Sequence, residues 1–71
     1  MDKEKLQYEI ANDRKLIEKH RAAQKLMRTQ NSGVRSGDIS SDLAAFDMAI
    51  EKAELRIWAN EQALELLENE S

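Results

Sequence analysis

His20 is the only histidine in the chain, and beside a carboxylate such as Asp13 or Asp47 an imidazole can serve as a general base. Such a base needs a substrate pocket and a second catalytic group, and no motif around His20 supplies either. Helical bundles build carboxylate metal sites from Glu-x-x-His, whereas the residue three before His20 is Ile17. Without cysteine, a single histidine cannot complete an ordinary structural zinc site. Ser32-Gly33-Val34-Arg35-Ser36-Gly37 carries two glycines but lacks the Lys-Ser or Lys-Thr of a phosphate-binding loop. These residues predict no catalytic centre, no metal site and no cofactor. His20, Gln24, Asp13 and Asn60 are read instead as a polar layer that fixes register and oligomer state at some cost in stability.

What remains is charge. Arg14, Lys15, Lys19, Arg21, Lys25 and Arg28 form a basic run, and Asp47, Glu51, Glu54, Glu61, Glu65 and Glu68 an acidic one. Residues 12–36 hold seven Lys or Arg against two acids, and residues 37–71 hold two against nine, within a net charge of −3. Phosphate contacts at Arg14, Lys15, Arg21, Lys25 and Arg28 are one use of such a surface. The other is a solvated face that complements the acids of a neighbouring helix. Glycines and aromatics for reading bases are missing from the run.

Positioning falls to two helices. Leu43, Phe46, Ile50, Ala53, Ile57, Asn60, Leu64 and Leu67 recur at spacings of three and four, the seam of a helix packed on another helix. A second three-four series, Met48, Lys52, Leu55, Ala59, Gln62 and Leu66, lies roughly 170–180° around the same helix. Trp58 falls between the two. The first helix should turn Leu6, Ile10, Ile17 and Met27 inward, flanked by Leu16 and Ala23, with a thinner outer stripe of Tyr8, Ala11, Ala22 and Leu26. The expected fold is all-α: an antiparallel hairpin with helices at about 2–31 and 40–69 and a turn at 32–39, the segment with both glycines. Ser40 or Ser41 is the expected cap of the second helix, with Ile39 stapling its start. Lys3 and Lys5 should lie beside Glu65, Glu68 and Glu70.

A chain of 71 residues forms one domain and buries only about 60% of its unfolded surface. Disulfides and metals being excluded, oligomerisation is the remaining route to stability, and a homodimeric four-helix bundle is its simplest form. No apolar run approaches the ~18 residues of a membrane span, and no signal or lipidation motif is present. A cytoplasmic protein without a membrane partner is expected.

At the level of architecture this plan resembles small plasmid and phage helical hairpins such as the RNA-binding Rop dimer, which implies a nucleic-acid-binding dimer. Arg21-Ala22-Ala23, Leu26-Met27 and Ser41-Asp42-Leu43 are similar to lambda-type phage head–tail joining proteins, in which such segments end one helix and begin the next. That resemblance implies a virion assembly component, although the glycine turn stands where those proteins have a β-hairpin. The residues themselves favour a non-enzymatic, self-associating protein-binding module, a small regulator, inhibitor or assembly adaptor of the sort found among phage accessory proteins. Its oligomer or partner interface is expected at Met48, Leu55, Trp58, Ala59 and Leu66, with Tyr8 and Leu26.

Overall fold

The computed structural model describes residues 2–30 and 39–70. Apart from Asp2, two helices make up all of it: α1, Lys3–Gln30, and α2, Ile39–Glu70. Strong helix formers dominate both, Lys, Glu and Gln in α1 and Ala, Leu and Glu in α2, with no proline, and the two glycines fall between them, so propensity and helix bounds agree. α1 starts at Lys3, one residue after its expected start, and its end and both ends of α2 border residues outside the described ones. The expected turn, apart from Ile39, lies outside the described residues.

Asp2 caps α1. Its carboxylate accepts from the Glu4 N–H at 3.2 Å and its carbonyl from the Leu6 N–H at 3.1 Å, which satisfies donors that have no partner within the helix. The start of α2 corrects an expectation. The described part of the helix already includes Ile39, so Ser40 and Ser41 lie within it and not before it, and whatever precedes Ile39 lies outside the described residues.

The two helices pack against each other along their length, and contacts from Lys3–Glu68 at one end to Gln24–Leu43 at the other make them antiparallel. Lys3 reaches Glu68 at 3.5 Å, while Lys5 holds no ion pair among the described residues. Leu6, Ile10 and Ile17 of α1 and Ile50 and Ala53 of α2 are buried; Ile17, Ile50 and Ala53 form one cluster, with Leu16 and Ile57 packed against it. Ala53 is 0% exposed, as befits a small residue where two backbones approach closely. The whole eight-residue seam from Leu43 to Leu67 is buried or half-buried, and all six residues of the opposing series from Met48 to Leu66 are exposed. Periodicity alone thus separates the hairpin face of α2 from its outer face. The result is a rod of 57 × 14 × 13 Å, one layer of two helices with no second layer over it.

Candidate partner-binding surfaces

A two-helix rod presents two outer faces and two flanks, and the sequence fills these four surfaces differently. On one flank, long charged side chains reach across the helix boundary. Arg14 Nη2 lies 2.8 Å from Glu61 Oε2 and Arg21 Nη2 lies 3.4 Å from Glu54 Oε2. Gln24, only 5% exposed, donates from Nε2 to the Leu43 carbonyl at 3.1 Å and to Asp47 Oδ1 at 2.6 Å. A buried amide needs such partners, because a donor removed from water and left unpaired costs about 1–3 kcal/mol. The expected polar position at Gln24 is therefore present, with its acceptors supplied by α2.

The other flank is apolar. Leu16, His20, Ala23 and Met27 of α1 are all half-buried, and opposite them stand Ala45, Phe46 and Ala49 of α2. Between the helices near the α1 C-terminus lies an open groove of about 480 Å³, lined by His20, Met27, Asp42, Ala45, Phe46 and Ala49. The rings of His20 and Phe46 meet there with centroids 5.2 Å apart and planes tilted by 53°. One charged contact crosses this flank. Arg56 donates to Asp13 through Nη2 at 2.9 Å and through Nε at 3.2 and 3.3 Å to the two carboxylate oxygens. Accepting these bonds, Asp13 holds the Arg56 guanidinium above its usual pKa, with desolvation opposing and the opposite charge assisting.

These pairings remove the dyad considered for His20. Asp13 is engaged by Arg56 and Asp47 by Gln24, and His20 instead faces the Phe46 ring. Among the described residues no group of three or more His, Cys, Asp or Glu could hold a metal ion, and no helix is long and apolar enough to cross a membrane.

The outer faces carry the residues expected at an interface. Met48, Leu55, Ala59 and Leu66 run along the back of α2 with Trp58 beside them, and Tyr8 and Leu26 occupy the back of α1; all seven are exposed. Trp58 keeps 62% of its surface in contact with solvent and Leu66 65%. Of the basic residues singled out, Arg14 and Arg21 are bound to glutamates, while Lys15, Lys25 and Arg28 are exposed and hold no ion pair among the described residues. Sequence reasoning missed the groove-lining Ala45 and Ala49 and the reach of Arg56 to Asp13. A third three-four series, Leu16, His20, Ala23 and Met27, held the signal for that flank.

No protein-family model matches the chain, and comparisons with curated proteins and with solved structures find no match either.

Proposed function

We propose that this protein is a non-enzymatic protein-binding module that also associates with itself, a regulator, inhibitor or assembly adaptor rather than a catalyst. The observation that carries the reading is the set of six large apolar side chains, Tyr8, Leu26, Met48, Leu55, Trp58 and Leu66, left exposed on the two outer faces. Four of them share the α2 side of the rod, in a stripe interrupted by Lys52 and Gln62, and large apolar side chains left in water side by side are the pattern of a docking surface. A stripe from residue 48 to residue 66 is about 27 Å long, enough for several turns of a partner helix.

Nucleic-acid binding, the Rop-like alternative, draws less support because two cations of the basic run are already neutralised by Glu61 and Glu54. A structural role in a virion rests on the same apolar surfaces and adds nothing to them. The test is affinity capture from the native host, comparing the wild-type chain with the double variant Leu55→Arg, Leu66→Arg. A specific protein retained by the first and lost by the second, with unchanged helical circular dichroism and weak dependence on salt, is the expected result. Equal retention by both, or capture of nucleic acid whose affinity falls steeply with salt, would overturn the reading.

A further inference from the structure

We infer that the groove-bearing flank is the interface with a second copy of this chain, so that the outward stripe of α2 stays free for a different partner. The inference rests on the self-association proposed above and names its surface. The first argument is area. The chain exposes 5572 Å², whereas a compact monomer of 8.2 kDa exposes roughly 4,500 Å². The excess of roughly 1,000 Å² is close to the ~800 Å² that each partner contributes to a standard interface. A radius of gyration of 16.4 Å against about 11 Å for a globule of this length says the same in shape. A second layer of two helices would remove the excess area and thicken the rod without lengthening it.

The second argument decides between flanks. Covering the flank of Arg14–Glu61 and Arg21–Glu54 would strip water from two exposed ion pairs, and desolvating charge rarely returns what it costs. Covering the groove flank buries Leu16, Ala23, Met27, Ala45, Phe46 and Ala49 and desolvates a single ion pair, Asp13–Arg56, whose half-buried carboxylate already accepts three hydrogen bonds. Alanines at positions 23, 45 and 49 allow close helix approach, and Leu16, Met27 and Phe46 supply the side chains to fill the gaps. The third argument selects the occupant. On this flank Asp13 and Arg56 neutralise each other and Asp42 is the one charged residue that lines the groove, so two copies meet there with far less repulsion than two −3 chains taken whole.

Light scattering at micromolar concentration on the full chain and three single variants tests this. Ala45→Arg and Ala49→Arg place a cation on the groove flank; Ala45 is exposed, so its variant leaves the hairpin core intact should Ala49→Arg fail to fold. Leu55→Arg places one on the outward stripe. A dimeric wild type, weakened roughly thirtyfold or more by Ala45→Arg and unaltered by Leu55→Arg, is the expected result. A dimer that Leu55→Arg dissociates, or that Ala45→Arg leaves intact, would overturn the assignment of the flank while leaving self-association standing. A monomeric wild type would overturn the inference and the self-association together, without touching capture of another protein through Leu55 and Leu66.

Discussion

Gln24 shows how a polar residue is accommodated in a seam of only five buried apolar side chains. Its Nε2 serves two acceptors, one a helix carbonyl and one a carboxylate that remains partly in water. Replacement by leucine removes donor and demand together and should change stability by less than about 1 kcal/mol. Gln24→Glu should behave differently, because it sets a second carboxylate where an amide now donates to Asp47. A loss of about 2–3 kcal/mol is expected near neutral pH. The new carboxyl would have its pKa raised in the folded chain, so the folded state binds more protons than the unfolded one and stability recovers as pH falls. Urea titrations of both variants at two pH values check this. A Gln24→Leu variant as unstable as Gln24→Glu would show that the amide positions α2 in some further way. Ile50, 7% exposed at the centre of the core, should cost about 2–5 kcal/mol on truncation to alanine, and half-buried Ile57 less, both read as loss of helical circular dichroism.

The inward and outward faces of each helix are legible because a helix imposes a period of 3.6, and every seam residue from Leu43 to Leu67 obeys it. The flanks are harder to read. Once two inward faces are fixed, antiparallel packing dictates which flank meets which, yet sorting residues into inward and outward overlooks positions a quarter-turn away. Alanines such as Ala45 and Ala49 also carry little periodic signal. The Arg56–Asp13 contact depends on the torsions of a long side chain, which no spacing encodes. Helix starts are equally weakly encoded where several capping residues stand together: Asp38, Ser40 and Ser41 all qualify by type, and Ser40 and Ser41 prove to lie within the helix. At the other helix the cap is unambiguous. Asp2→Ala should cost about 1 kcal/mol, visible as a lower melting temperature, and Asp2→Asn should restore most of it. Replacing Arg14 and Arg21 by alanine should cost no more than about 1 kcal/mol each, because both pairs are exposed, and the loss should shrink as salt rises.

A single layer of two helices has an inside only along one line, and a rod 57 Å long spreads the five apolar residues buried among the described ones thinly along it. Stability of such a rod is expected to come partly from mass action. Its melting temperature should climb by several degrees over a roughly hundredfold rise in protein concentration, because dissociation precedes or accompanies unfolding. A melting temperature independent of concentration would mean that the hairpin is stable as a monomer.

Trp58 has a use that its role in binding does not exhaust. As the only tryptophan, held in water on the back of α2 away from the groove, it is a built-in optical reporter. Its indole should emit like a solvated one in the isolated chain and keep that colour when a second copy covers the groove flank. Burial beneath a partner on the outward stripe should shift the emission to the blue. The unlabelled chain therefore reports, in one cuvette, which of its two surfaces has been taken.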